Sequence, residues 1–81
     1  MYYTYILQSV TSGLYYTGST NDLEDRIQRH QNNGNKATKG KGPWALIYSE
    51  TFRTRSEAFN RELKIKKRGA GRYLKDLSES G

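Results

Sequence analysis

A chain of 81 residues with a net charge of +6 and no cysteine is long enough for one small domain, and it excludes disulfide scaffolds and cysteine-ligated zinc ribbons. The excess of lysine and arginine favours a polyanionic partner, nucleic acid above all, against the bland alternative of a solvated basic surface. No long apolar run, signal-peptide core or lipidation motif is present, so no membrane is expected and a soluble cytoplasmic protein is.

The first segment, YYTYILQS (residues 2–9), is rich in aromatic and β-branched residues, and LYYTGS (14–19) continues the theme. The VTSG between them is a short turn-forming link, so the pair reads as a β-hairpin. Closing that hairpin on Gln8 and Gly13 sets Leu7 opposite Leu14 and Tyr5 opposite Tyr16, where directly opposed residues share a face. A helix follows, with Asn21 as N-cap, Asp22 and Glu24 in its first turn, and a stop at Asn33 and Gly34.

QNNGNKATKGKGP then reads as a long mobile loop. Pro43 and Trp44 begin a third strand, WALIYSETF. Thr54-Arg55-Ser56-Glu57 has the pattern of a capping box and opens a second helix that runs to about Arg68. Gly69-Ala70-Gly71 breaks it, and a short last helix around Tyr73, Leu74 and Leu77 is placed as a lid on the core. The order ββαβαα makes residues 1–81 a single α+β domain, a small three-stranded antiparallel sheet with helices packed against it.

Two helical patterns carry chemistry. At about 100° per residue, Leu23 and Ile27 form the apolar side of the first helix, His30 falls between them, and Arg26 lies at the near edge. Arg26 and His30 are four apart and therefore neighbours on one face. The plain structural alternative is an arginine snorkelling at the rim and a histidine satisfied by a backbone carbonyl. On the second helix Ala58, Phe59, Leu63 and Ile65 define an apolar arc with Glu62 near its middle. A carboxylate there needs a cation, which Arg26, a lysine or a metal would supply. Glu57 lies on the outer side and belongs to the cap.

The tyrosines 2, 3, 5, 15, 16, 48 and 73 serve mainly as packing, with base stacking as a weaker alternative because no RNA-recognition octamer is present. The basic runs NKATKGKG and KIKKRGAGR place Lys36, Lys39, Lys41, Lys64, Lys66, Lys67 and Arg68 where they could straddle a phosphate backbone.

Together these positions resemble the GIY-YIG nuclease family over the whole chain. Tyr3-Thr4-Tyr5 stands for the first motif, with Tyr5 as its last tyrosine, and Tyr16-Thr17-Gly18 stands for the second. Arg26, His30 and, within SEAFNRELKIKK, Glu62 match the family's continuation. Tyr3 and Thr4 replace the motif's Gly and Ile, Thr17 replaces the second Ile, and no asparagine follows Asn60. The resemblance is greatest to small stand-alone bacterial members related to the nuclease subunit of excision repair.

That resemblance implies a metal-dependent endonuclease cutting DNA, with RNA left open, in repair or recombination. Glu62 would hold Mg²⁺ or Mn²⁺, and Arg26 would clamp the phosphate in a fork that lysine cannot copy. Tyr5, Tyr16 and His30 are the three candidates for orienting or deprotonating the water. A free phenol is only about 0.1% ionised at neutral pH, so a tyrosine base needs help from its surroundings. The rival reading is a non-catalytic nucleic-acid-binding module that keeps the fold. A protein partner that supplies specificity fits either reading.

Overall fold

A computed structural model describes residues 1–32 and 38–80. Three antiparallel strands, β1 (Tyr2–Ser9), β2 (Tyr15–Thr20) and β3 (Trp44–Phe52), lie in the order β2-β1-β3. The helices are α1 (Leu23–Gln31), α2 (Arg55–Arg68) and α3 (Ala70–Ser80). The chain is thus the expected ββαβαα, α+β protein.

The central strand explains the sheet. Thr4, Tyr5, Ile6 and Leu7 are consecutive and all fully buried, which requires cover on both faces, because successive side chains point to opposite sides. On one face Tyr5 and Leu7 pack with Trp44 of β3 and with Leu23 and Ile27 of α1. On the other, Ile6 meets Ile65 of α2 and Tyr73 of α3, with Tyr48, Ala70 and Leu74 around them. The last helix does lie over this second core. Thr4, where the family motif has Ile, points to the same side, and its hydroxyl donates to the Ala58 carbonyl at 2.6 Å. An irregularity between Ile6 and Leu7 leaves Ile47 as the extra residue of β3, so that Tyr48 pairs with Ile6 and Leu46 with Leu7.

Several local expectations shift by a residue or two. The hairpin closes between Ser9 and Leu14, whose backbones bond at 2.8 Å, rather than between Gln8 and Gly13. Gly13, at φ 77°, belongs to the turn and donates to Ser9 O. The register moves by two, so Tyr5 faces Gly18 and Leu7 faces Tyr16. A two-residue slip preserves the face of every side chain, and Tyr5 and Tyr16 still share one. The N-cap of α1 is Asp22, which accepts from Asp25 N, rather than Asn21. α1 ends at Gln31 with Asn32 as its C-cap. The stop expected at Asn33 and Gly34 lies outside the described residues.

The capping box of α2 forms as expected, with Thr54 and Glu57 bonded reciprocally. Its buried stripe is narrower than the expected arc. Ala58, Glu62 and Ile65 are buried, while Phe59 and Leu63 are each 48% exposed. The stripe through 58, 62 and 65 faces the sheet, so positions 59 and 63, about 60° and 100° round the helix from Glu62, are turned out of it.

Candidate active site

The hydroxyl of Tyr5 is the centre of the arrangement. It lies 3.0 Å from His30 Nε2, and His30 Nδ1 lies 2.8 Å from the Thr38 hydroxyl. All three side chains are essentially without solvent exposure. The histidine is therefore satisfied by two side-chain hydroxyls and not by a backbone carbonyl. Thr38 is fixed in turn by the indole of Trp44, which donates to its carbonyl at 3.3 Å. The side-chain amide of Gln31 clamps the Trp44 backbone, accepting from N at 2.9 Å and donating to O. The end of α1, the turn at Thr38 and the start of β3 are thus sewn together behind the imidazole.

Tyr16 completes an aromatic cluster. Its ring centroid is 4.6 Å from that of His30 and 6.4 Å from that of Tyr5. Arg26, one turn before His30 on α1, is half-buried beside them. Its positive charge acts on both Tyr5 and His30. Burial drives the Tyr5 phenol well above the usual tyrosine range and Tyr16 adds to it, while Arg26 pulls the other way. Burial, with Arg26 next, pushes His30 below the ordinary imidazole value. A neutral imidazole beside a protonated phenol is the resting state these shifts describe.

Glu62 comes to this centre from the opposite face. Ser19 of β2 donates to its Oε1 at 2.7 Å, and Lys66 Nζ lies 2.6 Å from Oε2. Its charge is felt at the Tyr5 hydroxyl. The cation expected for this carboxylate is therefore a lysine, half-exposed and one turn on, and no Arg26–Glu62 ion pair forms among the described residues. No cluster of three or more His, Asp or Glu side chains suited to a metal occurs among them either. A single carboxylate with a hydroxyl beside it suits a hard, largely hydrated ion such as Mg²⁺ or Mn²⁺, which needs only one or two protein oxygens.

Gly18 is what lets the two faces meet. A Cβ built on it would lie 2.6 Å from the Tyr5 hydroxyl oxygen and 3.2 Å from the Tyr16 ring. The tyrosine reaches across the strand only because its cross-strand partner has no side chain. The motif tyrosines and glycine, the arginine and histidine of α1 and the glutamate of α2 thus converge on one edge of the sheet.

A family model described as the GIY-YIG catalytic domain matches residues 1–73. The chain belongs to the GIY-YIG family.

Within this nuclease family, the chain is 46% identical over 79 residues to the UPF0213 protein CPE1444 of Clostridium perfringens, covering 96% of this chain and 84% of that one. It is 39% identical over 67 residues to the UPF0213 protein VNG_2274C of Halobacterium salinarum, covering 82% and 86%. The solution structure of the UPF0213 protein BH0048 from Bacillus halodurans superimposes with a TM-score of 0.59 at 34% identity, covering all of this chain and 87% of that one. Among the described residues no helix is long and apolar enough to cross a membrane.

The basic residues singled out from the sequence are scattered. Lys39 and Lys41 lie in the turn that Thr38 opens, and both are exposed. Lys66 is held by Glu62, and Arg68 forms a two-point ion pair with Asp76 at 2.8 and 3.0 Å. Lys64 and Lys67 are exposed at about 200° and 140° round α2 from Glu62. Lys36 lies outside the described residues. Three contributors escaped the sequence reading: Thr38, Ser19 and the empty space at Gly18. Only Gly18 had a signal there, as the small residue of the second motif.

Proposed function

We propose that the protein is a divalent-metal-dependent endonuclease that hydrolyses phosphodiester bonds in DNA, acting as one catalytic domain in the cytoplasm. The observation that carries this reading is the buried Tyr5–His30–Thr38 chain beside Arg26, with Glu62 arriving from the opposite face of the sheet. A protein that only bound nucleic acid would gain nothing from a carboxylate at the anion's site.

The chemistry follows from the groups present. Tyr5 is too strongly protonated to serve as a ready-made phenolate. With His30 Nδ1–H donating to Thr38, the free Nε2 lone pair accepts the Tyr5 proton. As a water oxygen bonds to phosphorus, its proton passes to the Tyr5 oxygen and the phenolic proton passes to His30 Nε2. The scissile P–O bond breaks, and the leaving oxygen is protonated from solvent. Tyr16 walls the imidazole and fixes its plane. The Arg26 fork stabilises charge on the phosphate oxygens where it builds up. A metal held by Glu62 would supply Lewis-acid polarisation of the phosphate. In this scheme His30 is the proton's destination and Tyr5 its conductor, which distinguishes the three candidates for the base.

The test is incubation with duplex and branched DNA, with and without Mg²⁺ or Mn²⁺, followed by strand analysis. Metal-dependent breaks are expected. Binding without any break under every condition would leave the non-catalytic module as the answer.

A further inference from the structure

Beside the catalytic cluster lies a cavity of about 630 Å³ that the chemistry above does not use. Arg26 and Ser19 are among its lining residues. It therefore adjoins both the phosphate-clamping arginine and, through Ser19, the Glu62 carboxylate. Tyr2, Asn21, Arg55 and Phe59 also line it. Arg55 sits over the Tyr2 ring at 5.9 Å from its centroid, which fixes a second guanidinium on the wall. Among the described residues no carboxylate contributes to the lining. Phe59, a large apolar ring in this lining, is 48% exposed.

Two arginines, an exposed aromatic face and an asparagine amide, with no negative charge among them, match one ligand chemistry well. An anion is drawn in by the guanidiniums, a flat ring stacks on Phe59, and Asn21 offers both a donor and an acceptor to a base edge. The size is ordinary for a small-molecule subsite.

We propose that this cavity holds the nucleotide next to the scissile phosphate, with its base stacked on Phe59. The inference rests on the nuclease reading and narrows it. A base inside a duplex already has a neighbour on each face, so it can lie on Phe59 only when it is unpaired and unstacked. The favoured substrate is therefore DNA with an unpaired nucleotide at the cut: a flap, a gap or a single strand. Phe59 is a specificity residue, and it takes no part in the proton transfer.

Metal-free binding of a single strand carrying 2-aminopurine, and of the blunt duplex of the same sequence, tests this with cleavage silenced. The parent should bind the single strand with a change in 2-aminopurine emission that reports stacking. Phe59→Ala should lose that change and weaken single-strand binding about tenfold or more, the scale of one lost base–aromatic stack. Its duplex binding should stay near the parent's. Phe59→Tyr should restore the single-strand signal, and Leu63→Ala, an equally exposed neighbour outside the cavity, should behave as the parent. Circular dichroism melts of each variant show that the fold is intact. A Phe59→Ala protein that binds the single strand as the parent does overturns the subsite, while leaving the nuclease reading in place if the parent still cuts. A parent that neither binds nor cuts DNA in either form removes both.

Discussion

Tyr5 and Gly18 face each other across β1 and β2, and the phenol hydroxyl lies 2.6 Å from where a Cβ would stand on any other residue, too close for one to fit. The contact ties a motif glycine to a motif tyrosine by volume and not by backbone freedom. Gly18 lies within a regular strand, and its conformation asks nothing special. Gly18→Ala should therefore push the hydroxyl away from His30. A displacement of about 1 Å in a reacting group costs on the order of 10²-fold in rate. Overpacking a buried site also costs about 1–3 kcal/mol. Cleavage should fall far more than DNA binding, and the melting temperature should drop. An alanine variant that cuts like the parent would separate the glycine from the mechanism.

His30 is the only histidine in the chain, so its titration is read without ambiguity. Its folded pKa lies below that of the unfolded chain, because burial and then Arg26 oppose the imidazolium. Above about pH 6.5 both states hold a neutral ring and the linkage is silent. As pH falls below that value the unfolded chain takes up a proton that the native one does not, so stability declines until native His30 itself protonates. The acid limb of cleavage should follow native His30, at a pH below the ordinary imidazole value. Ring proton shifts followed by NMR supply the measurement. A midpoint at or above the free value would contradict the buried, arginine-flanked setting.

Arg26→Ala should slow cleavage about 10²–10³-fold, the range for losing one transition-state donor, with a much smaller loss of binding. Arg26→Lys should rescue poorly, since charge is kept and the fork is lost. Besides burial, Arg26 is the charge that opposes His30 protonation, so the His30 midpoint should rise in Arg26→Ala. Binding and cleavage that fall together would assign the arginine to ground-state anchoring.

How much of this was legible depended on the range of the interaction concerned. Capping Thr54 with Glu57, starting β3 at Trp44 and breaking α2 at Gly69 are local events written in adjacent residues. The pairing of Arg26 with His30 follows from helical spacing alone. The hairpin register depended on one left-handed glycine, and Gly13 could have closed the strands or formed the turn. Ser19 and Thr38 carry no signal because their roles arise only from tertiary approach, to a carboxylate on the far face and to an imidazole eight positions back. Phe59 misled for a related reason: helical periodicity identifies an apolar flank but not whether another element covers it. Glu62 was located correctly as a buried carboxylate in need of a cation, and of the partners its position left open, Arg26, a lysine or a metal, the one that pairs with it is a lysine, Lys66.

That partner decides what Glu62→Gln should do. Had Glu62 neutralised Arg26 in a sealed core, removing its charge would leave a buried cation and cost about 3–5 kcal/mol. Its actual partners are the Ser19 hydroxyl, which an amide oxygen still satisfies, and Lys66, whose side chain is 51% exposed and can swing into water. An ion pair so screened contributes about 0–1 kcal/mol. The variant should therefore melt within a few degrees of the parent. Cleavage should vanish nonetheless if the carboxylate is what holds the metal. DNA binding should be equal or tighter, because a negative charge facing the phosphate has gone and Lys66 is released to meet it. A melt and a nicking assay on the same sample separate the outcomes. Early unfolding would mean that Glu62 is structural after all, and parent-like cleavage by a folded variant would remove Glu62 as the metal ligand.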